Sequence, residues 1–332
     1  MATVYHRDQP GAPALTYDTG VTTQAHFDAF RAVLKACLVD GYGSTPAAGW
    51  ELIHDASNSL ILRNGSHSGY VCFQRSAASL ALITVWLAAT YSGVDADGKI
   101  VGDGVRSGNA ASSATPQKIN LRSFVARSVS CTWSLIADDK TFCFSPSASS
   151  SASDAAATGS QGNAYEFIHP VYCGEDSAGD FICVGGVNNS SDSGSLNAVN
   201  FNYDGFTALR FPDSGLLVDT SSISVAMPGC LAPTTLAYFT QTPAGLVLPE
   251  VNFSQPIWVA NGVVRKLRGF VFDPRIQAAY DSTLSTLLGG PALTTRTMNT
   301  VLNLGDGYGY IVARKYYVSC ISFLITNNPE FW

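Results

Sequence analysis

The chain has 332 residues, of which 46% are hydrophobic and 13% are charged, and its formal net charge is −6. This length is enough for one large domain or roughly two to three small ones, and the plentiful aromatic and β-branched residues exclude a disordered chain. The densest basic stretch, residues 263–270, holds three cations. It is typical of a solvated strand edge rather than a phosphate-binding groove, so we expect no nucleic-acid partner.

The first 20 residues lack the apolar segment of a secretory signal. The longest apolar run, residues 80–91, is shorter than the roughly 20 residues that a membrane-spanning helix needs. The sequence therefore predicts a protein that is made in the cytoplasm and does not span a membrane.

Eight cysteines are spread along the chain without any CxxC pair. Closely paired ligands are typical of metal sites, and disulfide scaffolds are typical of small secreted domains. Because each cysteine lies in an apolar or strand-like run, we predict buried free thiols and neither metal nor cofactor.

The first 20 residues contain Pro10, Pro13 and two glycines, which predicts an extended arm, either disordered or docked on a neighbouring molecule. Apolar residues at helical spacing then predict a helix over residues 23–39 that ends at Gly41. Three strands are predicted next, at about 50–54, 59–64 and 69–75, so that one helix lies on a β-meander.

Residues 93–120 look like a loop, and residues 145–163 form a Ser/Ala-rich segment that is typical of a long surface loop. Further short apolar runs predict strands up to the C-terminus, with a hairpin at Asn261-Gly262. Asp273, Pro274 and Gly289 favour a second helix over residues 273–289.

The predicted fold class is α+β, mostly antiparallel β, with an N-terminal helix on a β-meander followed by β-rich lobes. The predicted domains are residues 1–92, with the arm and the helix/β-meander unit, 93–245, a central β-rich lobe with the 145–163 loop, and 246–332, a C-terminal β-rich segment with one helix.

Two hairpins of similar pattern, at residues 50–64 and 133–145, carry acidic residues that we place in their turns. Asp138-Asp139 is either a metal or acid–base site or only a turn; Asp is favoured in turns because its side chain bonds nearby backbone amides, so we favour the turn. Asp55 is placed in the turn of the first hairpin. The DADG segment at 95–98 lacks the further acidic ligands of a calcium loop, and no GxSxG or nucleophile–base–orienter set is evident. We therefore predict no catalytic residue.

Four stretches resemble patterns of tailed-bacteriophage virion structural proteins: FRAVLKACLVDGYGSTPAAGWELI at 30–53, WSLIADDKTFCF at 133–144, YCGEDSAGDFICVGG at 172–186 and VVRKLRGFVF at 263–272. Such proteins are similar to those encoded in the tail and baseplate modules of phages of Gram-negative bacteria. The resemblance implies assembly rather than catalysis, and a location in the virion tail.

The leading hypothesis is a tail-tip or baseplate protein that binds other tail proteins and forms a homo-oligomer, with a trimer as one form. The candidate interface residues are Tyr5, Pro10 and Tyr17 of the arm and Phe331 and Trp332 at the C-terminus. The alternative is a component that binds a host surface receptor, supported by the aromatic content and the Ser/Gly/Asn-rich loops. A cell-envelope hydrolase is a minor alternative.

Overall fold

The structure is a computed structural model that describes residues 1–17, 23–75, 82–108, 116–120, 129–147, 170–185, 206–210, 223–226, 253–260, 262–271, 301–303, 306–314 and 323–332. Across these ranges the chain is mostly antiparallel β-structure with one N-terminal α-helix, which confirms the predicted fold class. Among the helices in these ranges, none has the length and apolarity to cross a bilayer.

The described strands, in chain order, are β1 (Thr3–His6), β2 (Leu15–Tyr17), β3 (Glu51–Ala56), β4 (Ser59–Arg63), β5 (Tyr70–Arg75), β6 (Leu82–Ala88), β7 (Gly93–Val94), β8 (Ile100–Val101), β9 (Lys118–Asn120), β10 (Val129–Ala137), β11 (Thr141–Ser147), β12 (Val171–Glu175), β13 (Phe181–Val184), β14 (Phe206–Ala208), β15 (Ile223–Ala226), β16 (Ile257–Ala260), β17 (Val263–Lys266), β18 (Phe270–Val271), β19 (Val301–Asn303), β20 (Gly309–Arg314) and β21 (Phe323–Thr326).

These strands form five antiparallel sheets. The central sheet has the order β1-β10-β11-β12-β13-β14, with β2 also pairing with β10. A five-stranded meander sheet has the order β3-β4-β5-β6-β9, and β7-β8 is a separate hairpin. The C-terminal part contributes a three-stranded sheet, β15-β16-β17, and a four-stranded sheet, β18-β21-β20-β19.

The predicted helix is the α-helix α1 (Thr23–Lys35), continued by a π-helical turn (Ala36–Asp40). The chain leaves it at Gly41, whose φ of 75° is a backbone conformation that favours glycine, and a Cβ there would lie 2.8 Å from the Thr45 carbonyl oxygen. The apolar face of α1, with Phe27, Phe30, Val33 and Leu34, is buried in the core, as its spacing predicted. The ring of Phe30 lies 5.2 Å from that of Phe73 in the meander sheet and 5.9 Å from that of Phe144 in the central sheet, so α1 contacts both sheets.

The central sheet is buried on both faces. One face packs against α1 and the meander sheet, where Trp50 lies 5.3 Å from Phe142, ring to ring. The other face, with Ile136, packs against the two C-terminal sheets, where Trp258 is fully buried. Burial on both sides agrees with the short continuous apolar stretches at residues 135–137 of β10 and 142–144 of β11, although β10 alternates apolar and polar residues before them.

The first residues of the chain belong to this central sheet and are not a free arm. Tyr5 pairs with Leu135, its side chain is fully buried, and its hydroxyl donates to the Pro46 carbonyl at 2.9 Å. The indole of Trp133 donates to the Pro13 carbonyl at 3.0 Å. The prediction of an arm was wrong for residues 1–17, because two short strands of three or four residues carry too little periodicity to be recognised next to prolines and glycines.

Other boundaries differ in smaller ways. Asp55 lies within β3, not in the turn, and binds Arg31 at 2.6 Å and Lys35 at 2.5 Å on α1. The segment 93–120, predicted as a loop, contains β7, β8 and β9 among its described residues. The predicted helix at 273–289 and nearly all of the predicted loop at 145–163 lie outside the described residues.

The domain boundaries stay predictions. One core nevertheless crosses the predicted boundary between residues 92 and 93, because side chains of α1, the meander sheet and the central sheet pack in the same cluster.

We expect Tyr5→Ala to lower the free energy of unfolding by about 3–5 kcal/mol, because it removes a fully buried aromatic side chain. Tyr5→Phe should cost about 1 kcal/mol, because it removes only the hydroxyl that binds the Pro46 carbonyl. Urea unfolding measures both. A Tyr5→Ala protein of unchanged stability would show that residues 1–17 do not belong to the folded core.

Candidate functional site

The turn between β10 and β11, residues 138–140, is hydrogen-bonded to several separate elements of the described structure, and we call it the turn hub. The carboxylate Oδ1 of Asp138 accepts hydrogen bonds from the backbone amides of Lys140 at 2.9 Å and Thr141 at 2.8 Å. This is an Asx-type turn, in which the side chain replaces a backbone acceptor. The prediction that Asp138-Asp139 forms a turn is therefore confirmed.

The backbone carbonyls of residues 138, 139 and 140 each accept a hydrogen bond from a residue next to a strand of the meander sheet. The Asp138 carbonyl accepts from the indole Nε1 of Trp50 at 3.0 Å. The Asp139 carbonyl accepts from the amide of Gly65 at 2.6 Å, and the Lys140 carbonyl accepts from Nδ2 of Asn64 at 3.2 Å. Asn64 is fully buried, and its amide group also binds the hydroxyls of Ser66 at 2.7 Å and Ser68 at 2.9 Å. The hub thus joins the central sheet to the turn between β4 and β5.

On its other side the turn hub binds the C-terminal part of the chain. Asp138 Oδ2 lies 2.6 Å from Nη2 of Arg268, and Nη1 of Arg268 donates to the Thr141 hydroxyl at 2.9 Å. The side chains of Arg268 and Asp138 are only 12% and 15% exposed. The guanidinium also lies over the ring of Trp332, 5.4 Å from its centre. Because both charges are largely out of water, removing either one leaves the other uncompensated.

Glu175 connects the hub to the next strand of the central sheet. Its amide donates to the Lys140 carbonyl at 3.2 Å, its carbonyl accepts from the Thr141 hydroxyl at 2.7 Å, and its carboxylate accepts from the Ser66 hydroxyl. Next to it, Gly174 has a φ of 128°, and a Cβ there would lie 2.3 Å from the Lys140 carbonyl oxygen. The two turns therefore approach each other at a distance that only glycine allows.

The neighbouring turn between β12 and β13 repeats this chemistry and binds the three-stranded sheet. Oδ1 of Asp176 accepts from the amides of Ala178 at 2.8 Å and Asp180 at 3.0 Å, while Oδ2 accepts from Nε1 of Trp258 at 2.7 Å. Asp180 pairs with Arg265 at 3.2 Å. Burial raises the pKa of Asp176 above its usual 3.8, although the amides of Ala178 and Asp180 partly oppose the rise.

This arrangement is suited to holding strands together. The carboxylates of Asp138 and Asp176 are directed at backbone amides, an arginine and an indole, which keep them in place. Within the described ranges, no group of three or more His, Cys, Asp or Glu side chains is placed to hold a metal ion. Asp95 of the DADG segment likewise caps its own turn, accepting from the amides of Asp97 and Lys99.

The predicted interface residues lie in different environments, and their role in an interface stays a prediction. Tyr5 and Phe331 are buried within this chain, and Trp332 is half-buried, with its indole donating to the Thr326 carbonyl at 2.6 Å. Pro10 is exposed, and Tyr17 pairs with Val129 at one end of β10. The structure does not bring these five residues together at one described contact.

Sequence reasoning missed Arg268 as a site residue, because the basic stretch 263–270 was interpreted as a solvated strand edge. That interpretation holds for Lys266, whose side chain is exposed. It is wrong for Arg265 and Arg268, which pair with acidic residues of two turns that are about 85 and 130 positions away in sequence. The signal available in the sequence was that each turn has an Asp directly after an apolar strand, namely Asp138 after β10 and Asp176 after β12.

Five cysteines fall in described positions whose burial is known, namely Cys37, Cys72, Cys143, Cys173 and Cys183, and all five are buried free thiols, as predicted. Burial raises the pKa of Cys72 to about 12. A protonated thiol is a poor nucleophile and a poor metal ligand, so Cys72 behaves as a small apolar group in the reduced protein.

Comparison of the chain with models of protein families, with characterised proteins and with solved structures finds no match.

We expect Asp138→Asn to lower the free energy of unfolding by about 3 kcal/mol, because it leaves the guanidinium of Arg268 buried without its counter-charge. The amide oxygen of Asn can still accept the two turn bonds, so the substitution isolates the ion pair. Asp8→Asn is the matched control: Asp8 pairs with Arg7 but is 67% exposed, and it should change stability by less than about 1 kcal/mol. Equal effects of the two variants in urea unfolding would contradict the role of the hub.

We expect the buried carboxyl of Asp176 to make the protein more stable as the pH falls. Its pKa in the folded state lies above 3.8, so the folded state binds this proton more tightly than the unfolded state does. The ionised group therefore lowers stability at neutral pH, and this loss is relieved as the pH falls through the folded-state pKa towards 3.8. The measurement is the difference in unfolding free energy between the wild type and Asp176→Asn as a function of pH. This difference should increase on acidification, and a decrease would contradict the assignment.

Proposed function

We propose that the chain is a structural component of a phage virion, a tail-tip or baseplate protein that acts by assembling with other tail proteins. The observation that carries the proposal is the turn hub, in which one turn binds the meander sheet on one side and the C-terminal part on the other. Such cross-connection makes several sheets one stiff unit, which a scaffold under mechanical load requires. The resemblance of four stretches of the sequence to virion structural proteins supports the same function.

The chemistry of the buried polar groups agrees with a scaffold. The side chains of Asp138, Asp176 and Asn64 each form hydrogen bonds that connect separate elements of the chain. Residues that join distant parts of a fold are expected where shape has to be kept. In the proposed particle, copies of the chain form a symmetric homo-oligomer, with a trimer as one form, and contact other tail proteins.

A receptor-binding role is the second candidate, and one surface favours it. On the outer face of the meander sheet, the half-buried rings of Tyr70 and Tyr91 stack at 6.2 Å, and the guanidinium of Arg63 lies 5.6 Å from the centre of the Tyr70 ring. Tyrosine and arginine are enriched in binding surfaces, because they combine apolar area with hydrogen-bonding groups. This surface is the place at which a host receptor would bind.

Immunogold labelling of purified particles with an antibody against this chain tests the location. The scaffold proposal predicts label at the tail tip or baseplate of intact particles, and particles free of the chain would contradict both candidates.

Binding of the fluorescently labelled protein to host cells separates the two candidates. Saturable binding that is lost in a Tyr70→Ala variant would favour the receptor-binding component. An oligomer in size-exclusion light scattering that does not bind cells would favour the scaffold. A terminal deletion is not a suitable test, because Tyr5 and Phe331 are buried in the fold of the chain itself.

A further inference from the structure

We propose that Cys173 and Cys183 form a cross-strand disulfide when the folded protein meets a two-electron thiol oxidant. The two residues are direct partners in the antiparallel pair of β12 and β13. Both side chains are fully buried, and both belong to the same core cluster. They are reduced in this structure.

The hydrogen-bonding phase of the hairpin places the pair where a disulfide can close. The amide of Asp176 donates to the carbonyl of Asp180 at 3.0 Å, so these two residues form a hydrogen-bonded pair at the turn. Bonded and non-bonded pairs alternate along an antiparallel ladder. Cys173 and Cys183 are the third pair further along and are therefore a non-hydrogen-bonded pair.

A second bond gives the same phase independently. The amide of Glu175 donates to Lys140 in the neighbouring strand pair, so it points away from β13. Cys173 lies two residues earlier and has the same orientation. In a non-hydrogen-bonded pair the Cα atoms are about 4.5 Å apart, which is within the roughly 4.4–6.8 Å that disulfides span. The bond can therefore form without a shift of either strand.

The surroundings set the rate at which the bond forms. Cys183 also accepts a bond from Nε2 of the buried Gln117 at 3.4 Å, so the pair lies deep in the core. Burial raises the pKa of the Cys173 thiol, which keeps it protonated while the hairpin is closed. Because the thiolate is the reactive form, oxidation is expected to be slow and to follow local opening of the hairpin.

Diamide, an azo oxidant, completes the electron balance. The thiolate of one cysteine adds to the N=N bond, and the sulfur of the second cysteine then attacks this adduct and forms the S–S bond. The hydrazine product leaves with the two protons and two electrons of the thiols. In a particle released from a reducing cytoplasm, the same reaction with an external oxidant would lock the hairpin that carries Asp176; this consequence rests on the proposed function, whereas the bond itself does not.

The test treats the purified full-length chain, folded and reduced, with diamide. Remaining thiols are blocked with N-ethylmaleimide after unfolding, and the chain is then cleaved at acidic residues. Glu175, Asp176 and Asp180 lie between the two cysteines, so only a disulfide keeps the two peptides together. Cys143 is the internal control, because its strand partners are Ile136 and Tyr172.

The expected result is one linked pair of peptides that contains Cys173 and Cys183. Its mass is two hydrogen atoms less than the sum of the two reduced peptides, and a dithiol reductant separates them. Cys143 carries the blocking group. A Cys183→Ser variant should give no link and leave Cys173 blocked. No link in the wild type, or links that involve Cys143 to the same extent, would overturn the proposal. If Cys183→Ser does not fold, the comparison with Cys143 in the wild type decides alone. Because the assay uses purified protein, a negative result leaves the proposed virion function untouched.

Discussion

The architecture depends on how one reverse turn satisfies its backbone. A turn interrupts the ladder of a sheet, and its amides and carbonyls need partners where other elements cover them. At this turn the carboxylate of Asp138 accepts from the amides of Lys140 and Thr141, and the carbonyls of residues 138–140 accept from Trp50, Gly65 and Asn64, which lie outside the central sheet. The second carboxylate oxygen holds Arg268. One side chain therefore closes the turn and also binds the C-terminal part of the chain.

The other features of the described structure follow from this constraint. The central sheet is covered on both faces, by α1 and the meander sheet on one side and by the C-terminal sheets on the other. Apolar packing alone leaves such layers free to slide, because the hydrophobic effect is non-directional. The directed bonds of Asp138 and Asp176 at one end of the sheet fix the layers in place. Only 13% of the residues are charged, and two ion pairs, Asp138 with Arg268 and Asp180 with Arg265, lie at these two turns.

The local pattern of the sequence predicted the helix, the meander strands and the turn at Asp138, because each depends on residues within a short window. It did not predict that Tyr5 is buried or that Arg268 binds a turn. The burial of Tyr5 depends on a contact across more than 40 positions, and the bond of Arg268 spans more than 100. Composition and periodicity do not encode contacts of this range. Asp55 was misplaced because an acidic residue next to a turn resembles a turn residue, whereas its partners are Arg31 and Lys35 on a helix some 20 positions earlier.

Native-state hydrogen exchange of the Arg268→Gln variant, compared with the wild type, tests most directly whether the turn hub couples the sheets. If the hub couples the sheets, two groups of amides lose protection together, those of the turn between β4 and β5 and those of β18 and β21. The first group lies at the turn that binds the hub through Asn64 and Gly65. Loss of protection confined to residues 138–141 would contradict the account and would reduce the hub to an ordinary hairpin turn.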